Sequence, residues 1–284
     1  MKTFTLGTTA ETERYDYLSR LSMDRWAWEF ARRNTELLED ARTLAQDGVS
    51  EMKAPCENTR IRLLRPRTTQ TLAERWGLVF MPDPKLNGFE ADVVWSHYVF
   101  PHQVEVNCTP RRPGETCTIW DSTVPHCEIT HVTDRSAREY LLLRGNSCVV
   151  QVRCTGQSLL GLEPVRMKLQ ISDMDAYEKK LEKQKEVFKL YGEGPDISEP
   201  LWTKTTQILR NGLIALDGLE AGLTQREIAI IIYGEDLVAS EWGDDGGSLR
   251  AHLRYVISKA ETLRDGGYLV ELLGAHLGGD RHAA

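Results

Sequence analysis

The sequence has no long apolar run. The longest unbroken one, residues 228–233, is six residues, against the ~18 that a membrane-spanning helix needs. Residues 1–9 hold one lysine and no apolar stretch of the kind that directs export, so no signal peptide is read there. Cysteine is sparse, at six in 284 residues, too few for a disulfide scaffold. These absences lead to the expectation of a reduced, cytoplasmic protein with no membrane partner. Basic charge is also short: 35 Lys and Arg stand against 42 Asp and Glu, a net charge of -7. A protein that coats nucleic acid by bulk charge is excluded, but a local basic reader is not. The nucleophile elbow G-x-S-x-G, the phosphate loop G-x-x-x-x-G-K and the dinucleotide signature G-x-G-x-x-G are all missing. The chain is therefore not expected to be an enzyme or to use a cofactor. Internal repeats and low-complexity segments are missing too.

The candidate metal ligands are equally thin. His126-Cys127-Glu128 has the H-x-E of zinc deaminases, but the P-C-x-x-C that must follow is not there. His126, Cys127 and His131, with Cys108 and Cys117 upstream, are zinc-type ligands without the close cysteine pair that opens a structural site. Asp244-Asp245 before Gly246-Gly247 lacks the D-x-D-x-D-G spacing and distal glutamate of a calcium loop. No metal is expected, and buried thiols and a solvated turn are the preferred readings.

What is present is an ordinary folding composition, 41% hydrophobic and 27% charged, at a length for two or three domains of ~100–200 residues. Met23, Trp26, Ala27, Phe30, Leu37, Leu38, Ala41, Leu44 and Ala45 fall on one helical stripe, with Gly48 as its stop. Residues 51–90 are punctuated by prolines and read as connecting loops with one short helix within 69–78. Residues 93–95, 97–100, 104–106, 138–143, 148–154 and 165–171 read as strands, with a hairpin turn at Gly145-Asn146. Residues 175–191 form a charged connecting helix that ends at Gly192, Gly194 and Pro195. The expected fold is α+β. It comprises an N-terminal helical region with its connector (1–90), a small, mostly antiparallel sheet (91–174), a linking helix (175–195) and a C-terminal helix-turn-helix-like unit (196–284).

That last unit carries net charge -6, most of the chain's acidity. A helix over 201–219 is followed by Thr224-Gln225-Arg226-Glu227, a capping box ahead of the run Ile228–Tyr233. Residues 235–245 are strongly acidic, with an extra helical turn expected near 237–242. Ser248 then reads as the N-cap of a helix over 249–264, ended by Gly266-Gly267. Leu249, Leu253, Val256, Ile257 and Leu263 give this helix a core face. Ser248, Arg250, His252, Arg254 and Lys259 give it a polar, basic one. In a helix-turn-helix the second helix presents such residues to the major groove, while the first, here with Gln225 and Arg226 at its start, crosses behind. Those seven residues are the candidate DNA contacts. The competing reading is a helical protein-docking module that reads no bases.

Thr224-Gln225-Arg226-Glu227-Ile228-Ala229, Tyr233-Gly234, Trp242, Ser248-Leu249-Arg250 and Gly266-Gly267-Tyr268 resemble the C-terminal helix-turn-helix-variant domain of a proteobacterial family. That family comprises regulators of excision and transfer of integrative and conjugative elements. Glu139–Gly145 and Gln151-Val152-Arg153 resemble the strands before those helices. Tyr15-Asp16-Tyr17-Leu18 and Trp26–Asn34 resemble the family's N-terminal transcriptional-regulator domain. The combination is closest to the two-domain (FseA-like) excision activators. The resemblance implies a transcriptional activator that binds promoter DNA and helps recruit RNA polymerase, with a single-domain antiactivator homologue as a further partner. Where the family has further basic residues, this chain has Tyr255, Ile257 and Ser258, which weakens its phosphate-binding term.

Overall fold

Seven strands form one mixed sheet in a computed structural model. It describes residues 12–44, 48–53, 61–67, 70–114, 127–145, 148–160, 165–171, 174, 177–192, 202–243 and 247–275. The strands are β1 Val49–Lys53, β2 Ile61–Pro66, β3 Val104–Pro110, β4 Glu128–Thr133, β5 Glu139–Arg144, β6 Val149–Gly156 and β7 Val165–Gln170, in spatial order β1-β2-β4-β5-β6-β3-β7. The β2–β4 and β3–β6 pairs are parallel and the other four antiparallel, so the sheet is mostly antiparallel. With helices on either side in sequence, the fold is α+β.

β5 occupies the centre. Tyr140, Leu141, Leu142 and Leu143 are all buried, so this strand shows no polar alternation. Leu141 and Leu143 face a core shared with Ile61, Val104, Ile129, Val152 and Val187. Tyr140 and Leu142 face the other side, with Leu64, Val79, Phe80, Val94 and Val132.

β4 is not among the strands expected from the sequence, since buried polar Thr130 and His131 interrupt its apolar run, and two further stretches differ from the sequence expectation. Residues 51–53 and 61–66, read as loop, belong to strands β1 and β2. β1 is an edge strand of polar composition and therefore has no apolar pattern, and Pro66 sits at the end of β2, where its missing N–H costs no ladder bond. Residues 93–100, read as strands, are coil and turn with a single bridge, Leu78 to Trp95. A side chain there does what a strand would do: the Trp95 amide donates to Gln151 Oε1 at 2.8 Å, and Gln151 Nε2 donates back to the Trp95 carbonyl at 2.7 Å. Val93, Val94 and Trp95 are buried as strand residues would be, which is why they read as a strand.

The single N-terminal stripe is two helices, α1 Met23–Ala31 and α2 Thr35–Leu44. Asn34 breaks them, its Oδ1 accepting from the amides of Glu36 and Leu37 at 2.9 and 3.3 Å. A short helix, α3 Thr71–Glu74, follows β2. α4 Tyr177–Gly192 lies against β3, and after it come α5 Lys204–Glu220, α6 Gln225–Tyr233, α7 Glu235–Glu241, α8 Ser248–Thr262 and α9 Tyr268–Glu271. A π-type turn, Leu263–Gly267, joins the last two, and Gly266 takes a φ of 109° in it. Gly194, Pro195 and Asn146 lie outside the described residues.

α1 is buried on every side, and the two ends of the chain share its surroundings. Trp26 and Phe30 pack with Leu209, Leu213 and Ile214 of α5. Trp28 and Trp95 pack with Tyr268, whose hydroxyl donates to the Trp76 carbonyl at 2.9 Å. Arg33 donates to Asp217 of α5 from Nε at 2.7 Å and from Nη2 at 3.0 Å. The Tyr15 hydroxyl donates to the same carboxylate at 2.7 Å.

Candidate nucleic-acid interface

α6 begins as the sequence predicts. The Thr224 amide donates to Glu227 Oε2 at 2.8 Å, and Thr224 Oγ1 accepts from the Glu227 amide at 3.3 Å. The hydrogen bonds from Thr224 hold the Glu227 carboxyl below its usual range. Ile228 and Ala229 then enter the core with Ala215, Val238, Leu249, Leu253 and Ile257. Gly234 ends α6 with a φ of 89° and starts α7, which exposes Glu235, Asp236 and Glu241. The connector between α6 and α8 is thus partly helical.

α8 starts differently from the expectation. Ser248 is its first residue, and the cap is Gly247, which has no side chain to accept a hydrogen bond. Only glycine fits there, because a Cβ at 247 would lie 2.6 Å from the Glu241 carbonyl oxygen. The α8 core face is Leu249, Leu253, Val256, Ile257 and Ala260. Ala260 sits so close to Gly212 of α5 that a Cβ there would be 2.9 Å from its methyl.

At 100° per residue, the exposed side of α8 resolves into three strips. Ala251, Tyr255 and Ser258 stand outermost. Arg250 and Arg254 flank them on one side, and Ser248, His252 and Lys259 on the other. Arg254, Ser248 and His252 are exposed, whereas Arg250 is half-buried, and its Nε is buried with no hydrogen-bond partner among the described residues. The His252 ring stands between Tyr233 and Tyr255, with centroids 6.1 and 6.4 Å away. Lys259 differs from the other cations, because its ammonium is ion-paired with Glu271 on α9. Gln225 and Arg226 are exposed on the first turn of α6.

Helical periodicity thus gathers five of the seven candidates on one helix and leaves Lys259 with its charge already matched. Tyr255, 54% exposed between the two flanks, is not among the candidate contacts that residue type and spacing give. An aromatic on an otherwise polar helical face was its signal. Among the described residues no three His, Cys, Asp or Glu side chains form a group able to hold a metal ion. His131 is buried beside Glu139 at 3.2 Å. Cys108, Cys127 and Cys154 are buried in the core. His126, Cys117 and Asp244-Asp245 lie outside the described residues. No helix among the described residues is long and apolar enough to cross a membrane.

With that geometry in view, two family models match the chain. Residues 174–273, from the segment before α4 to the end of the last helix, match the family described as "T6SS, Transcription factor, DNA binding domain". Residues 10–81, covering α1 to α3 with β1 and β2, match the family described as "Proteobacterial transcriptional regulator-like domain". No curated protein matches the chain. The two matches support a DNA-binding transcriptional regulator, with the α4–α9 stretch similar to a DNA-binding domain and the N-terminal stretch similar to a regulator domain.

Proposed function

We propose that the chain is a transcriptional activator that binds promoter DNA with α8 in the major groove and helps recruit RNA polymerase. It controls excision and transfer of an integrative and conjugative element, with a single-domain antiactivator homologue as a further partner. The observation that carries the DNA reading is the exposed side of α8, where Arg250 and Arg254 flank Tyr255 opposite Ser248 and His252, inside the stretch similar to a DNA-binding domain. Arg suits guanine edges and phosphates, and the exposed α8 amino-terminus favours an anion. Gln225 and Arg226 on α6 hold the backbone alongside. The element-specific role rests on the resemblance of both ends of the chain to the excision-activator family.

Arg250→Ala and Arg254→Ala test this by promoter footprinting and mobility shift over a salt series. Each contact to a phosphate should contribute ~0.9 to the slope of log K against log salt. Each base contact should cost ~1–3 kcal/mol at its own position. Lys259→Ala should bind nearly as the parent does. Wild-type footprints from both arginine variants would remove α8 as the reading helix. The second reading, a regulator that docks on protein without reading bases, is favoured by the acidic exposed face of α7. It predicts a co-purifying protein partner and no shift of promoter DNA even at low salt.

A further inference from the structure

The β7 side of the sheet has one core face and one polar face. Strand alternation sends Val106 and Cys108 of β3, Val152 and Cys154 of β6, and Val165 of β7 into the core. Their neighbours along each strand stand on the opposite side. There the register sets Thr155 of β6, Asn107 of β3 and Lys168 of β7 in one row. Two residues further along β3, Thr109 lies beside Arg166. Two residues back, Glu105 lies beside Arg153, whose Nη1 donates to Glu105 Oε1 at 3.2 Å. Tyr140 of β5 is the next residue across from Arg153, and its hydroxyl is 3.5 Å from His97 Nδ1. The His97 ring lies against Tyr98, with centroids 3.7 Å apart. Arg138 stands over the Tyr98 ring at 5.2 Å and donates from Nη2 to its hydroxyl at 2.9 Å. Contacts therefore run from Arg138 to Arg153, and the strand register carries on from there to Lys168 and Arg166.

The positive charge of this face points outward and the negative charge is withdrawn. On the outward positions of β6, β3 and β7, and in the turn before β5, Arg138, Arg153, Arg166 and Lys168 stand against Glu105 and Asp134. The Asp134 side chain is 12% exposed and accepts from the amides of Ser136 and Arg138 at 2.9 and 2.8 Å. The Glu105 side chain is 16% exposed and held by Arg153. Arg138 and Arg153 keep 31% and 28% of their side chains exposed, and Arg166 and Lys168 are exposed on the edge strand. Such an excess is not what a chain of net charge -7 gives by composition. Asn107, Thr109 and Thr155 lie between the cations, so a protein partner would find little apolar surface to bury. Arg, Lys, Thr, Asn and Tyr are instead the side chains that contact phosphate and sugar. Two strand spacings hold Arg153 and Lys168 about 10 Å apart on rigid backbone.

We infer that this face is a second, sequence-independent DNA contact, which takes the phosphate backbone of a duplex across β6, β3 and β7. It lies outside the stretch similar to a DNA-binding domain. The inference rests on the reading of the chain as a DNA-binding regulator, but not on the choice of α8 as its reading helix. Phosphate contacts fix position and add affinity without reading sequence.

The test measures binding of the full chain to a promoter duplex, and to a scrambled duplex of equal length, over a salt series. Arg166→Gln/Lys168→Gln, on the exposed edge strand, should lower the slope of log K against log salt by about 1.8 on both duplexes, two contacts at ~0.9 each. The footprint on the promoter should keep its boundaries. Glu105→Gln, which releases Arg153, should bind both duplexes more tightly and steepen the slope by up to about 0.9. Lys85→Gln, on an exposed loop, should behave as the parent. Parent-like slopes in Arg166→Gln/Lys168→Gln, or an equal loss in Lys85→Gln, would overturn the proposal. If Arg250→Ala/Arg254→Ala then loses the footprint, the α8 reading stands without the sheet face. An intact footprint in that variant, with a lowered slope in the edge-strand variant, would remove α8 and keep the sheet face. Should the edge-strand variant fail to fold, Lys168→Gln alone and Glu105→Gln decide, since they must move affinity in opposite directions.

Discussion

Asp217 is one point at which the first and last thirds of the chain are tied, and Asp217→Asn measures that tie. Asp217 is 2% exposed, and its carboxylate accepts hydrogen bonds from Tyr15 Oη at 2.7 Å and from Arg33 Nε and Nη2 at 2.7 and 3.0 Å. Asparagine keeps the volume, removes the charge and points an NH2 at donors. Breaking a buried pair costs ~3–5 kcal/mol, because it strands the other charge. Arg33 here keeps a second partner, Glu29, with Nη1 2.8 Å from Oε2 and 2.6 Å from the Glu29 carbonyl. The lower end, ~3 kcal/mol, is therefore expected. For a chain of this size each kcal/mol lowers Tm by ~2–4 °C, giving a fall of about 6–12 °C. Urea unfolding followed by fluorescence of the buried tryptophans, and by circular dichroism, reads the loss as a shift in midpoint at constant m-value. Arg33→Met/Asp217→Leu replaces both charges and should recover most of the stability. A single-variant loss under ~1 kcal/mol, or a double variant less stable than Asp217→Asn, would refute the claim that this pair fastens the turn after α1 to α5.

Two other outcomes are expected. Stability should fall with acid in two stages. Burial, then the charges of Arg153 and Arg138, push the His97 pKa down to about 4. The unfolded chain therefore takes a proton before the folded one does, and stability declines as pH falls from ~6.5 towards that value. Burial raises the Glu29 and Glu139 pKa values, but Arg33 and Arg32 around Glu29, and the hydrogen bonds of His131 and Ser158 to Glu139, more than reverse this. Their contribution is complete above the ordinary glutamate value of ~4.3 and lost as pH falls through the lower folded values. Urea midpoints from pH 7 to 3 check both stages; His97→Gln should flatten the first stage only, and an unchanged first stage would remove His97 from the account. Gly247→Ala should cost ~1–3 kcal/mol by overpacking against the Glu241 carbonyl and weaken promoter binding by displacing the start of α8; a thermal melt equal to the parent's would show the turn is looser than its geometry.

The elements legible in the sequence were those made by neighbours along the chain. The Thr224–Glu227 capping box spans four residues, the α8 core face repeats every third or fourth, and the paired strands β5 and β6 are only four residues apart in sequence. Elements defined by distant partners were not legible. β1 is polar because it is an edge, and only its place in the sheet explains it. Residues 93–100 have strand composition but are satisfied by the Gln151 side chain, 56 residues from Trp95. The break at Asn34 was legible in principle, since asparagine is a capping residue, but the apolar stripe runs through it unbroken. In the candidate site, residue type and spacing gave the strip of α8. They could not give the pairing of Lys259 with Glu271, which needs the turn at Gly266 to bring α9 back.

That pairing changes what the site must rely on. With Lys259 matched and α7 acidic, Arg250 and Arg254 carry most of the free positive charge of α8, so the proposed DNA contact of α8 should have a small phosphate term and a shallow salt slope. Affinity from so few cations depends on holding them in register, and the scaffold does this through α5. One side of α5 meets α8 where Gly212 admits Ala260 at a distance no larger residue tolerates, so α8 can neither slide nor tilt without opening that contact. Further along, α5 presents Asp217 to Arg33 and Tyr15, which both donate to its buried carboxylate. The orientation of α8 is therefore set partly by residues some two hundred positions upstream, outside the stretch similar to a DNA-binding domain. This gives a physical reason for the two matched segments to occur in one chain.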